Sequence, residues 1–271
     1  MKVIVLLWGL FGCLVTTLGA TYFVDFEGGS DANAGTSESL AWKHCPGDSK
    51  AAETPSRTSL GPGDTVRFKG GVVYLGQIAL TASGATNNVI TFDGNQPETW
   101  GTGRAVLDGD YRPGVILDGK ANVSHLTIRG FEIRNVAGYR DDDPVLTKKC
   151  VDFADTKGRA GLFAREGIAI SFERGGNTNL RFEDLYIHRC GQWRNTQPFG
   201  NVTGFGIAIQ NANGVVIQRC DISKTRVGIS LKATETIQNI DVAQCQLHDY
   251  LVWCVDVATR TAGAKFRNIT I

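Results

Sequence analysis

Three nine-residue segments decide how this chain reads: GVVIQRCDI at 214–222, NIDVAQCQL at 239–247 and GAKFRNITI at 263–271. In the first, Val215, Ile217, Cys220 and Ile222 are apolar at steps of +2, +5 and +7. Ile240, Val242, Cys245 and Leu247 repeat the spacing, and Ala264, Phe266, Ile269 and Ile271 are read as a third copy. Leu180, Phe182, Leu185 and Ile187 match upstream, as do Leu126, Ile128, Phe131 and Ile133. A second pattern precedes each copy: Gly114-Val115-Ile116-Leu117, Gly167-Ile168-Ala169-Ile170, Gly206-Ile207-Ala208-Ile209, Gly228-Ile229-Ser230-Leu231 and Cys254-Val255-Asp256-Val257.

A repeat in the twenties carrying strand-length alternations is the pattern of a coiled β-solenoid. Alternation at period 2 sends one side of each strand inward, and the uneven step means the chain bends between strands. One repeat cannot bury its own apolar side, so successive repeats must stack. Stacked parallel strands lie about 4.8 Å apart. Equal positions then form ladders: Val215, Ile240 and Ala264 are expected on one line, and Cys220 beside Cys245.

Composition agrees. Glycine is abundant at 33 residues and methionine occurs once, which suits many tight corners and few helices. Lys2 is the only charge in the first twenty residues, so the rest balances 27 basic against 27 acidic side chains. That neutrality argues against a nucleic-acid binder acting through bulk charge. Residues 1–20 read as a secretory signal ending near Gly19 or Ala20, with a membrane helix as the alternative. Without that segment no membrane span is expected, and the protein is placed outside the cell or at its surface. Cysteines 45, 150, 190, 220, 245 and 254 follow, with no metal-ligand spacing among them. A Cys45–Cys150 bridge is one option that the sequence leaves open.

Residues 21–64 form a polar, Gly-rich region ahead of the repeats, and 65–271 form the coils. The first coil of a solenoid exposes strand edges and needs a lid, a role this region can fill. Tyr22-Phe23-Val24-Asp25, then Gly29-Ser30-Asp31-Ala32-Asn33-Ala34-Gly35-Thr36-Ser37, Trp42 and LGPGDTVRFKGG at 60–71, resemble the N-terminal cap and first coil of secreted right-handed parallel β-helix proteins. That superfamily includes pectate lyases, other polysaccharide lyases and glycosidases. The resemblance implies an all-β, right-handed parallel β-helix acting as a monomer on extracellular polysaccharide. A uronate-directed lyase is favoured, with a glycoside hydrolase or a non-catalytic sugar-binding module as alternatives. The Asp-Gly-Phe-like segment ending in Lys that marks the family-nine pectate lyases is not found here. The chain stops at Ile271, read as an inward position with no polar cap after it, so further coils are expected beyond it.

The repeat is interrupted from Gly138 to Glu166 and from Gly191 to Thr203. Both interruptions enter after the +7 residue, so both loops are expected along one edge of the ladder. Loops on a rigid scaffold commonly carry binding and catalysis. Two outward stripes are expected beside them: Asp118, Ser171, Gln210, Lys232 and Ala258, then Ile116, Ala169, Ala208, Ser230 and Asp256. His188, Ser223 and His248 lie just beyond the +7 rung. Lys232 is the candidate proton-abstracting base, with Asp256 diagonal to it and an exposed salt-bridged lysine as the plain alternative. His188 is a second candidate acid or base. Trp193 is suited to stacking on a sugar and Arg194 to clamping a carboxylate. Asp118, Ser171 and Gln210 are expected to line the groove with Trp193 and Asp256. Asp141, Asp142 and Asp143 are hard oxygen donors of the type calcium takes. Bridging through calcium to a uronate is what the resemblance implies for them. Hydrolysis requires paired carboxylates. Asp118, Asp256 and Glu166 are available, but no pair falls on adjacent rungs.

Overall fold

A computed structural model describes residues 19–96, 98–112, 114–136, 167–191 and 204–271. In chain order its strands are β1 (Thr21–Val24), β2 (Thr65–Phe68), β3 (Val73–Leu75), β4 (Ile78–Leu80), β5 (Ile90–Asp93), β6 (Ala105–Asp108) and β7 (Gly114–Gly119). Then come β8 (Ser124–Arg129), β9 (Phe131–Val136), β10 (Gly167–Phe172), β11 (Thr178–Glu183), β12 (Tyr186–Cys190), β13 (Gly204–Gln210) and β14 (Asn213–Gln218). The last are β15 (Asp221–Thr225), β16 (Val227–Ala233), β17 (Thr236–Ala243), β18 (Gln246–His248), β19 (Trp253–Thr259) and β20 (Lys265–Thr270).

The strands stack into three parallel sheets that wrap one interior. The first runs β1-β2-β5-β8-β11-β14-β17-β20, the second β19-β16-β13-β10-β7-β4, and the third β18-β15-β12-β9-β6-β3. Each turn of the coil visits the second, first and third sheets in that order, as in β10, β11 and β12. The interior rungs are those the spacing predicted. Leu126, Leu180, Val215 and Ile240 align, as do Ile128, Phe182, Ile217 and Val242. Ile133, Ile187, Ile222 and Leu247 form the third line. All of these but Leu247, which packs against the cluster partly buried, are buried in one continuous apolar core.

The bends come from stacked residues with left-handed backbone. Between the first and third sheets these are Gly130, Asp184, Arg219 and Gln244, with φ from 52° to 74°. A second line crosses the first sheet: His125, Asn179, Gly214, Asn239 and Asn268. Asn and Gly tolerate this conformation best. The side-chain amides of that line bridge coils, Asn239 donating to Asn213 at 2.8 Å and Asn268 donating to Asn239 at 2.9 Å.

These two bends correct the reading of the last repeat. Ile240 pairs with Ile269 and Ile237 with Phe266, so Ala264 is not on the line of Val215 and Ile240. Each left-handed residue separates two inward residues by three positions, and such bends recur within a coil, a further line being Asn135, Arg189 and Lys224 in the third sheet. Phe266-x-x-Ile269 spans Asn268 as Ile237-x-x-Ile240 spans Asn239, whereas the sequence reading matched it to Val242-x-x-Cys245. Continuing that register, Ile271 falls level with the inward Val242 rather than with Leu247, and as the last residue it is 62% exposed.

Ahead of the coils, β1 pairs with β2 at the head of the first sheet. Trp42 is fully buried there, stacked on Tyr22 at 4.7 Å, with its indole N–H donated to the Asn33 carbonyl. Asp31 accepts from the backbone N–H groups of Lys43, His44 and Ala52 and bonds to the His44 ring, tying three segments together. Among the described residues no helix is long and apolar enough to cross a membrane. The expected signal falls almost wholly outside the described residues.

Candidate functional site

Both interruptions leave from one corner, between the third and second sheets. Their anchors coincide in space: Val136 pairs with Cys190 where the segments depart, and Gly167 with Gly204 where they return. At this root the backbone of Gly191 lies against Gly167 and Gly204 so closely that a Cβ on either would stand 2.5 Å from it. Glycine is needed there for close approach. The corner also holds a cavity of about 260 Å³ lined by Lys50, Gln77, Asp108, Val115 and Val136.

The outer face of the second sheet, next to this corner, has a register that differs from the one read in sequence. Ser171 pairs with Asp118 on one side and Ala208 on the other, then Ala208 with Ser230 and Ser230 with Asp256. Gln210 pairs with Lys232 and Lys232 with Ala258. Ser171 therefore shares a stripe with Asp118 and Asp256, not with Gln210 and Lys232. The cause is a two-residue slip: Gly167 aligns with Gly204 rather than Gly206. A slip of two keeps most side chains on their own faces, so alternation cannot detect it. Ile116 and Ala169 are not outward at all. They belong to the interior core with their neighbours Leu117 and Ile170, because each strand begins with a bend that turns two successive residues inward. Val115, Ile168, Phe205 and Val227 take the outward place and pack with Ala208 as a second apolar cluster.

Charges gather beside that cluster. Continuing the register places Glu173 in line with Gln210 and Lys232. The Lys232 ammonium donates to Glu173 Oε1 and sits 4.3 Å above the Phe205 ring. Asp118 is ion-paired to Lys120 and accepts from Arg174 at 3.3 Å. Asp118 is on β7, and Glu173 is the turn residue just past the end of β10, two positions beyond Ser171, the partner of Asp118. With strand geometry extended one residue to Glu173, spacing and rise would put the two Cβ atoms about 8 Å apart. The sequence reading missed this pair because the four-residue motif stopped short of the strand end; one more step of period 2 from Ser171 reaches Glu173. Asp118 and Asp256 are four strands apart, about 19 Å. Ser230 is fully buried with a hydroxyl that has no hydrogen-bond partner among the described residues. Trp253 pairs with Val227 on this sheet and is 55% exposed.

His188 is not part of this patch. It lies on the third sheet in a ladder with Arg134 and Ser223, and Ser223 continues it to His248. The ring bonds Glu132 Oε1 at 3.0 Å and stacks on Tyr186. Glu132 also accepts from Arg134, which bonds Asp108. The His188 hydrogen bond, outweighing burial and joined by Arg134, holds the Glu132 carboxyl below its ordinary range. His188 is thus the middle of a partly buried polar network on a different sheet from Lys232. Arg194, Trp193 and the Asp141, Asp142, Asp143 run lie outside the described residues. Among the described residues no group of three or more His, Cys, Asp or Glu is placed to hold a metal.

Comparison with known proteins follows the same lines. The chain is 30% identical over 206 residues to a lacto-N-biosidase of Bifidobacterium longum subsp. longum, which covers 64% of this chain and 12% of that protein. The crystal structure of a GH136 lacto-N-biosidase from Eubacterium ramulus superposes with a TM-score of 0.52 at 15% identity, over 82% of this chain and 42% of that one. At that identity the likeness is one of fold, and this chain spans less than half the length of either relative. The family model for the right-handed beta helix region matches residues 113–268, more than half the chain. With its three parallel sheets and stacked interior rungs, the chain belongs to the right-handed β-helix family.

Proposed function

We propose that this chain is the β-helix portion of a secreted or cell-surface enzyme that cleaves a glycan by hydrolysis. Its sugar-binding surface is the outer face of the second sheet beside the loop-bearing corner. The observation that carries this reading is the Asp118–Glu173 pair. Two carboxylates on opposite sides of a glycosidic bond serve as acid and base, about 6.5–9.5 Å apart when a water must fit between them. Cβ atoms about 8 Å apart allow the two carboxyl groups to reach a separation of that order. Asp118, ion-paired with Lys120 and Arg174, is assigned as the candidate base. Glu173, ion-paired with Lys232, is assigned as the candidate acid. The identity to a lacto-N-biosidase supports a glycan substrate and hydrolysis.

Elimination from a uronate is the second reading, and Lys232 is the residue that favours it. A lysine base must lose its proton first. Lys232 lies between the Glu173 carboxylate and the face of Phe205, so its Nζ is engaged by two neighbours rather than open to a sugar C–H. In this arrangement Lys232 is a binding cation that orients Glu173 and an incoming sugar.

The test is product analysis. The full-length protein is incubated with neutral N-acetylated oligosaccharides and with uronate polymers, with and without a calcium chelator. New reducing ends without ultraviolet absorbance from an unsaturated sugar are expected. Absorbance from an unsaturated uronate would overturn hydrolysis in favour of elimination. Sugar binding with no product from any glycan would leave a binding module.

A further inference from the structure

Cys220 and Cys245 occupy successive rungs at the bend between the first and third sheets. Register on both sides fixes this, since Gln218 pairs with Ala243 and Asp221 with Gln246. Arg219 then aligns with Gln244, and Cys220 with Cys245. Arg219 and Gln244 share the left-handed conformation, φ 52° and 55°. The two bends therefore turn alike and send both thiols the same way. The hydrogen bonds repeat as well. Cys220 donates to the carbonyls of Gln218 at 3.4 Å and Phe182 at 3.6 Å, and Cys245 to those of Ala243 at 3.4 Å and Ile217 at 3.6 Å. Neighbouring parallel strands put Cα atoms about 4.8 Å apart, inside the 4.4–6.8 Å span that disulfides bridge, and closing the bond needs the Cβ atoms to approach from about that spacing to about 3.5–4.5 Å.

The two thiols are free and differ in access and acidity. Cys220 is buried, whereas Cys245 is partly exposed. The interaction between the two thiols lowers Cys245 below the ordinary thiol range and, with burial, raises Cys220 above it. The remaining described cysteines lack this arrangement. Cys45 and Cys190 are buried, and burial pushes both thiols up. Cys254 lies on a different sheet, opposite Gly228 of β16.

We propose that Cys220 and Cys245 are a disulfide-forming pair that links adjacent coils when the protein meets a low-molecular-weight disulfide. The Cys245 thiolate attacks one sulfur of the small disulfide, whose S–S bond breaks and releases one small thiolate. Cys220 then gives its proton to water and attacks the Cys245 sulfur of the mixed disulfide, expelling the second small thiolate. Two protein thiols are oxidised and one small disulfide is reduced to two thiols.

The test uses the folded full-length protein with oxidised glutathione, followed by alkylation and tryptic peptide mapping with and without reduction. The expected product joins the peptide Cys220–Lys224 to the peptide Ala233–Arg260, with a mass lower by two hydrogens than the separate peptides. The link should survive Cys254→Ala and vanish in Cys245→Ala. Glutathione or alkyl label on both Cys220 and Cys245 with no link would overturn the proposal. So would a link that persists in Cys245→Ala and vanishes in Cys254→Ala. The wild-type peptide map decides between a link and its absence even if a variant fails to fold.

Discussion

Gly119 and Phe172 make the stacking of coils measurable. Phe172 on β10 is fully buried, its ring edge-on to Phe182 at 5.6 Å between centroids. Gly119 on β7 lies one coil below, and a methyl group added there runs into the Phe172 ring. Gly119→Ala alone overpacks the rung and is expected to cost about 1–3 kcal/mol. Phe172→Ala alone opens a cavity and is expected to cost about 3–5 kcal/mol. In the double variant the new methyl enters the space the ring has left, so the overpacking penalty disappears. The pair should then lose about 1–3 kcal/mol less than the two single losses added together. Equilibrium urea unfolding, followed by circular dichroism, reads all four proteins of the cycle. Losses that add to within about 0.5 kcal/mol would show that the two residues do not meet, and the rung assignment for the second sheet would fall.

Three further outcomes follow from the same structure. Asn239→Ala gives up a left-handed residue suited to its φ of 55° and the amide bonds to Asn213 and Asn268; a loss of about 1–2 kcal/mol is expected in urea unfolding, with Asn239→Gly recovering part of it. Glu132 has its carboxyl lowered by His188 and Arg134, so its contribution is present above the ordinary carboxylate pKa and lost as pH falls through the lower folded value. Glu132→Gln should therefore destabilise the protein at neutral pH and flatten the acid limb of a plot of stability against pH, and an unchanged acid limb would remove Glu132 from the network. Lys232→Ala should weaken sugar binding about tenfold in a calorimetric titration, the order of one charge-assisted hydrogen bond, while the product formed stays the same.

What the sequence disclosed divides along physical lines. The interior of the first and third sheets was legible because Leu126, Leu180, Val215 and Ile240 occupy positions where only an apolar side chain fits. A one-residue error there would move the whole set into water. The corner from which both interruptions leave was legible for the same reason, since Val136 and Cys190 end matching strands. The outer stripes were less so. Gly204 and Gly206 offer two registers that differ by two residues, and an outward face accepts either. The identical steps across Asn268 and Gln244 misplaced the last repeat. Glu173 and Phe205 carried no signal of their own, because their roles come from Lys232, a residue two coils from one and one coil from the other.

The claim that most needs a direct measurement is that Asp118 and Glu173 act together on a bound sugar. The measurement is kcat for reducing-end release from the best glycan substrate, in wild type, Asp118→Asn and Glu173→Gln, with circular dichroism showing each variant folded. Removing an acid or base of this type is expected to lower kcat by roughly 10²–10⁴-fold, with the Glu173→Gln loss smaller on a substrate whose leaving group needs no protonation. Two folded variants that hydrolyse both substrates at the wild-type rate would contradict the account and place the reaction elsewhere on the molecule.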